Sequence, residues 1–166
     1  LLVVNADNAI PAPLLGNGAT HYFSRQSKPE NGTYLENGTI FRVKNGVSQA
    51  VMPMDTILLP GIHNVENYMT AIAVTDGLVS DETIRHVAAT FGGVEHRIEL
   101  VRIKDGVRFY NDSIASSPSR TIAGLRSFPE QVILIAGGYD KHIPFDVLGP
   151  EVCRHVKKLY LTGATA

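Results

Sequence analysis

Cysteine is nearly absent from this sequence. The 166 residues contain one cysteine, Cys153, which cannot form an internal disulfide or, without a second cysteine, a zinc site of paired cysteines. Six histidines are present, and none lies three or four residues from another, as the helical pairs of metal sites do. We therefore expect neither a disulfide-stabilised scaffold nor a protein-ligated zinc site.

The sequence also lacks an excess of charge of either sign. Lys and Arg total 15, Asp and Glu total 16, and the formal net charge is -1. Such a balance gives no broad positive field that could bind a nucleic-acid backbone or an anionic membrane. We expect no nucleic-acid partner and no membrane partner.

Long hydrophobic runs are missing as well. Runs such as Val132 to Ala136 are far too short to cross a hydrocarbon core of about 30 Å, and no charged start precedes an apolar leader. With 44% hydrophobic residues the chain can still close an ordinary core, so we predict a folded, soluble, cytoplasmic protein. Because the sequence opens in the strand-like Leu1 to Val4 without an initiating Met, we also expect a fragment of a longer protein.

Turn signals dominate the first sixty residues. Four Asn-Gly pairs favour type I′ hairpin turns and predict short strands between them: Asn17-Gly18, Asn31-Gly32, Asn37-Gly38 and Asn45-Gly46. After Gly61, apolar residues at helical spacing predict two helices, Asn64 to Gly77 and Asp81 to Phe91, with Asp81 as the cap of the second.

The remaining sequence alternates between strand and helix patterns. Asp105-Gly106 predicts a hairpin, and the later elements are predicted as a helix at Ser117 to Phe128, a strand at Val132 to Ala136, a helix ending at Val156 and a strand at Lys158 to Thr162. This order is typical of an α/β protein with a parallel sheet. We place a domain boundary near residue 60, before a Rossmann-like domain.

Candidate functional residues follow the predicted strands, because ligands of parallel α/β sheets bind at the carboxyl ends of strands. After the strand ending at Tyr110, the Asp112 carboxylate could accept from ribose hydroxyls, and Ser116 lies in the same polar stretch. A purely turn-forming role for both stays equally open. Lys141 follows the glycine pair Gly137-Gly138 and either binds a substrate carboxylate or is simply solvated.

Two further candidates lie near predicted turns. Asn64 and Asn67 are three residues apart at a helix start, where their amides can donate and accept, although Asn64 alone could be a cap. Arg97 follows a glycine turn and either clamps a phosphate or is an ordinary solvated arginine.

Taken together and in this order, five motifs resemble those of the Mur ligases of peptidoglycan synthesis, and in particular the branch that adds D-glutamate. The motifs are Asn5-Ala6-Asp7-Asn8, Leu59 to Asn67, Gly93 to Arg97, Tyr110 to Ser116 and Ala136 to Lys141. The resemblance spans nearly the whole chain. It implies that residues 1–60 are the C-terminal part of a central ATP-binding domain and that residues 61–166 are an incomplete Rossmann-like C-terminal domain.

The resemblance also implies a reaction and a site. ATP, with Mg²⁺, would phosphorylate the carboxylate of UDP-N-acetylmuramoyl-L-alanine, and the amine of D-glutamate would then attack the acyl phosphate. By the same resemblance, Asn64 and Asn67 would contact adenine, Arg97 the ribose and phosphates, and Asp112 the ribose hydroxyls. Two residues would hold D-glutamate: Ser116 and Lys141.

The sequence departs from the family pattern at two points. Ile114 stands where family members often carry Lys, and no G-x-x-x-x-G-K-[ST] phosphate loop occurs in the 166 residues, so the metal ligands and the complete catalytic set are expected elsewhere in a longer protein. Two alternatives stay open: a dinucleotide-binding oxidoreductase domain, for which the G-x-G-x-x-G spacing is missing, and a non-catalytic nucleotide-binding or regulatory domain related to such ligases.

Overall fold

The computed structural model describes residues 1–8 and 18–164, so the predicted turn at Asn17-Gly18 lies partly outside the described residues. The chain divides into two compact units between Gly92 and Gly93. The first is a sheet covered by two helices, and the second combines two small sheets with two helices. The predicted α/β class is confirmed.

The sheet of the first unit has five strands in sequential order. They are β1 (Leu2–Asn5), β2 (Thr20–Ser24), β3 (Gly32–Glu36), β4 (Thr39–Lys44) and β5 (Val47–Pro53). The first three strands run parallel to one another, and the last three are joined by antiparallel hairpins. The hairpin-rich segment predicted before residue 60 is therefore confirmed for β3 to β5.

The Asn-Gly pairs have two different uses. Asn37 (φ 48°) with Gly38 and Asn45 (φ 50°) with Gly46 adopt the left-handed pairs of the predicted hairpin turns. Asn31-Gly32 makes no hairpin, which corrects the prediction. Gly32 begins β3 beside the parallel strand β2, and a Cβ there would lie 1.9 Å from the carbonyl oxygen of Tyr22.

Two helices cover this sheet: α1 (Ile62–Val74) and α2 (Asp81–Thr90). Their apolar faces and the inner face of the sheet form one core, which contains Ile40, Val51, Met52, Ile57, Val65, Met69, Ile72, Ile84 and Ala88. The cap of α2 is Ser80, whose hydroxyl accepts from the Thr83 amide at 3.2 Å. The predicted cap, Asp81, is instead the first helical residue and pairs with Arg42 at 2.9 Å.

This packing explains why the division between the two compact units lies later in the sequence than the boundary expected near residue 60. Both helices bury their apolar faces on the sheet that precedes them, and the Arg85 guanidinium donates to the Val51 carbonyl at 2.7 Å. The segment from Gly61 to Gly92 thus belongs to the first unit.

The second unit contains the predicted alternation. Its elements are β6 (Glu99–Lys104), β7 (Val107–Asn111), α3 (Pro118–Leu125), β8 (Val132–Gly138), α4 (Gly149–His155) and β9 (Val156–Gly163). Strands β8 and β9, which α4 connects, pair in parallel. Strands β6 and β7 form an antiparallel hairpin whose turn, Asp105-Gly106, has a left-handed backbone. The bidentate pair of Arg126 with Glu151, at 2.7 and 2.9 Å, joins α3 to α4.

Within the described residues β7 pairs with β6 alone, not with β8. Ser116 therefore follows a strand of the antiparallel β6–β7 hairpin, whereas Lys141 follows β8 of the parallel pair. No helix in the described ranges is long and apolar enough to cross a membrane.

Candidate nucleotide and substrate site

Asn64 and Asn67 lie together in the first turns of α1. The buried Asn64 amide donates from Nδ2 to the Pro60 carbonyl at 2.7 Å, and its Oδ1 accepts from Nδ2 of the exposed Asn67 at 3.3 Å. Gly61, at φ 97°, is the residue before the helix, so Asn64 is not its cap. The structure brings this predicted pair together and fixes the orientation of both amides.

Arg97 lies in a strained loop of the second unit, between β6 and the preceding glycines. Its two neighbours, His96 (φ 66°) and Ile98 (φ 46°), both have left-handed backbones. This conformation costs roughly 1–2 kcal/mol at a residue with a Cβ, and a branched side chain such as that of Ile98 is seldom found there. The Arg97 guanidinium is exposed and makes no hydrogen bond or ion pair within the described ranges.

Asp112 holds one side of this loop. Its Oδ1 accepts from the Ile98 amide at 3.1 Å, and its carbonyl accepts from the Ala115 amide at 2.9 Å. Asp112 is partly buried beside α3, where a Cβ added to Gly124 would lie 3.0 Å from Oδ2. Asp112 thus both forms the predicted turn and supports the loop that contains Arg97.

Glu99 and Asn111 hold the other side. Oε2 of Glu99 accepts from the His96 amide at 2.8 Å, and Nδ2 of Asn111 lies 2.8 Å from Nδ1 of the same histidine. The sequence reasoning missed these two residues. The predicted hairpin at Asp105-Gly106 could have indicated them, because it places Glu99 opposite Asn111 on the paired strands.

The two residues predicted to bind D-glutamate lie in exposed loops. Ser116 uses its amide for a turn bond of 2.8 Å to the Ile114 carbonyl, and Lys141 makes no ion pair with any residue that the structure describes. The turn after β8 is shaped by Asp140, whose Oδ1 accepts from the His142 amide at 2.7 Å. Within the described part of the chain no hydrogen bond or ion pair joins Ser116 to Lys141, so their shared site stays a prediction.

Close packing between two strands explains why residue 137 is a glycine. Its φ is 140°, and a Cβ there would lie 1.7 Å from the Thr162 carbonyl oxygen on β9. Glycine is therefore required for the close approach of two strands, whether or not a ligand binds beside it.

Asp7 organises the chain after β2. The Ser24 hydroxyl and the Arg25 amide donate to its two oxygens at 2.5 and 2.8 Å. Burial raises the pKa of Asp7, but these hydrogen bonds and the charge of Arg25 outweigh burial, so the pKa lies below its usual range. The Asp7 carboxylate is therefore negatively charged, and both of its oxygens accept hydrogen bonds within the protein.

The described residues contain no group of three or more His, Cys, Asp or Glu side chains arranged to hold a metal ion. The Mg²⁺ implied by the resemblance stays a prediction.

Curated relatives match the chain almost from end to end. The sequence is 51% identical over 99% of its length to UDP-N-acetylmuramoylalanine–D-glutamate ligase of Acetivibrio thermocellus, and 50% identical over the same share to the enzyme of that name from Ruminiclostridium cellulolyticum. In both cases it covers 36% of the relative. The chain thus spans about a third of the length of the curated relatives it matches. No protein-family profile matched it.

Solved structures show the same fold. UDP-N-acetylmuramate-alanine ligase from Thermotoga maritima aligns over 86% of this chain and 39% of its own with a TM-score of 0.55 at 16% identity. A pseudomurein peptide ligase type C from Methanothermus fervidus aligns over 82% of this chain and 36% of its own, also at 0.55, with 19% identity. At about half identity over nearly its whole length, the chain is similar to the two D-glutamate ligases, and in fold it is similar to the two solved ligases.

Proposed function

We propose that this chain is part of an ATP-dependent amide-bond-forming ligase that adds D-glutamate to UDP-N-acetylmuramoyl-L-alanine in peptidoglycan synthesis. The observation that carries the proposal is the identity of 51% over 99% of the chain with a relative of that name. Because the chain covers 36% of that relative, we assign the activity to the intact polypeptide and not to these 166 residues alone.

The two compact units would then have different parts in the enzyme. We assign the first to the end of the central ATP-binding domain and the second to the C-terminal Rossmann-like domain, with the boundary between Gly92 and Gly93. Asn64 and Asn67 would contact adenine, Arg97 the ribose and phosphates, and Asp112 the ribose hydroxyls.

The chemistry of each group supports its assignment. Arg97 is a permanent cation without a protein partner among the described residues, and its loop is fixed on both sides, which suits the binding of a phosphate. A carboxylate such as that of Asp112 accepts from a ribose diol, and amides such as those of Asn64 and Asn67 match a purine edge.

The reaction would pass through an acyl phosphate. The substrate carboxylate attacks the γ-phosphorus of ATP and ADP leaves; the D-glutamate amine then attacks the acyl carbon, phosphate leaves, and an amide bond forms. Such a transfer depends mainly on positioning and on charge stabilisation. Ser116 and Lys141 would bind a carboxylate of the incoming D-glutamate, through a hydroxyl and an ammonium group.

The experiment uses the intact polypeptide with ATP, Mg²⁺ and UDP-N-acetylmuramoyl-L-alanine, and compares D-glutamate with L-glutamate and L-alanine. We expect phosphate release and an amide product of the expected mass with D-glutamate alone. Nucleotide binding without any product would favour the non-catalytic alternative. Release of phosphate that ignores the amino acid would contradict the proposed acceptor.

A further inference from the structure

The loop from Gly93 to Ile98 presents Arg97 in a conformation that its own sequence does not favour. His96 and Ile98 have positive φ values on either side of the arginine, which a histidine and a β-branched residue seldom adopt without support. Something outside the loop must therefore hold it, and the described structure shows which groups do so.

Two carboxylates provide this support from opposite sides. Asp112 binds the Ile98 amide at 3.1 Å, and Glu99 binds the His96 amide at 2.8 Å. Asp112 is already assigned to the ribose, whereas Glu99 has no part in the proposed binding of ATP. Its second contact is also to His96, with Oε2 at 3.7 Å from Nδ1.

We propose that Glu99 is a positioning residue that keeps Arg97 in place for the ATP phosphates by holding the backbone of His96. The inference rests on the proposed function, because it needs Arg97 to bind ATP. Glu99 does not touch the nucleotide in this account; it acts through the amide of His96, the residue directly before Arg97.

Electrostatics alone makes the opposite prediction. A carboxylate near a phosphate site repels the nucleotide, so removal of Glu99 would strengthen ATP binding if charge were its main effect. Removal of a support weakens ATP binding instead, because the bound geometry of Arg97 is then populated for less of the time. The direction of the change in the KM for ATP therefore separates the two accounts.

The test measures kcat and the KM for ATP in the intact polypeptide. For Glu99→Ala we expect the KM for ATP to rise about fivefold, as for the loss of one ordinary hydrogen bond, with a smaller change in kcat and in the KM for D-glutamate. Glu99→Gln keeps an acceptor oxygen for the His96 amide and should stay within about twofold of wild type.

Two controls accompany these variants. Glu95→Ala removes a carboxylate from the same loop that has no hydrogen-bond partner among the described residues, and it should not raise the KM for ATP. Glu99→Met keeps the side-chain length without an oxygen and replaces Glu99→Ala should that variant fail to fold.

A double variant distinguishes failure of the inference from failure of the proposed function. If Glu99 acts through Arg97, then Glu99→Ala adds little to the KM for ATP in an Arg97→Ala background. A full multiplication of the two effects, or an unchanged or lower KM in Glu99→Ala, overturns the inference while the Arg97 site stands. An Arg97→Ala variant with the wild-type KM for ATP overturns the phosphate role of Arg97, and the inference with it.

Discussion

Gly124 packs directly against the carboxylate of Asp112, so that a Cβ at this position would lie 3.0 Å from Oδ2. We expect Gly124→Ala to raise the KM for ATP in the intact enzyme about two- to fivefold, because the carboxylate must shift by a few tenths of an ångström. Alanine is also more favourable than glycine in a helix by roughly 1 kcal/mol, which offsets the cost of moving the carboxylate, so the melting temperature should change little. Gly149→Ala is the matched control, since nothing lies within 4 Å of its new Cβ.

Asp112 has two functions that substitution can separate. Asp112→Asn keeps an oxygen for the Ile98 amide but loses the charge that favours a ribose diol, so the KM for ATP should rise with little loss of stability. Asp112→Ala removes both, so it should also lower the free energy of unfolding by about 1–3 kcal/mol and with it the melting temperature. Loss of stability in both variants at an unchanged KM for ATP would show that Asp112 only forms the turn.

Lys141 and Ser116 are the predicted contacts of D-glutamate. We expect Lys141→Ala to raise the KM for D-glutamate at least tenfold, since a charge-assisted hydrogen bond contributes about 1.5–3 kcal/mol, and Ser116→Ala to do so more mildly. The KM for ATP should change less. Lys157→Ala removes another exposed lysine of the same unit and should change neither constant. Wild-type kinetics in both test variants would mark these residues as surface positions.

Glu151 predicts how the stability of the second unit depends on pH. The hydrogen bonds from Arg126 lower the pKa of this carboxyl, burial opposes them, and the charges of Arg126, Arg154 and His155 add to the lowering. Because the folded pKa lies below the ordinary value of 4.5, the stabilisation is complete above that value and is lost as the pH falls through the folded pKa.

The measurement compares the melting temperatures of wild type and Glu151→Gln across this range. The difference should be largest near neutral pH and should vanish in acid, because Gln resembles the protonated carboxyl. Glu130→Gln, at an exposed carboxylate without a partner in the described part of the chain, should show no such trend.

The isolated 166-residue chain should hydrolyse no ATP. No G-x-x-x-x-G-K-[ST] segment occurs in it, and alignment of the γ-phosphate depends on such a loop in enzymes that use one. A phosphate-release assay with the purified chain, against a blank prepared in the same way, checks this. Turnover above the blank would contradict the prediction.

Local rules predicted much of this fold. Asn37-Gly38, Asn45-Gly46 and Asp105-Gly106 form the expected left-handed turns because Asn, Asp and Gly tolerate positive φ. Asn31-Gly32 failed because the same glycine also allows close strand packing, and only the neighbouring Tyr22 decides between the two uses. Such a neighbour is distant in sequence and is known only once the sheet has formed.

The candidate site was predictable in its residue types but not in its geometry. The motifs identified Arg97, a charged residue after a glycine turn, and Asp112, a charged residue after a predicted strand. Nothing in the sequence indicates that Ile98 has a positive φ, because local preference opposes it and support from Asp112 overrides that preference. The sequence did not predict the hydrogen bond from the His96 amide to Glu99 for the same reason.

The hydrogen bond from Asn64 to Pro60 has a consequence for the choice of base. A carbonyl oxygen only accepts, so the Pro60 carbonyl binds Nδ2 of Asn64. Oδ1 of Asn64 then accepts from Nδ2 of Asn67. The side-chain oxygen of Asn67 is left without a partner among the described residues. Under the proposed function, this oxygen matches the amino edge of adenine and repels the carbonyl edge of guanine. Discrimination between ATP and GTP would then depend on the Pro60 carbonyl, because it sets the orientation of both asparagine amides.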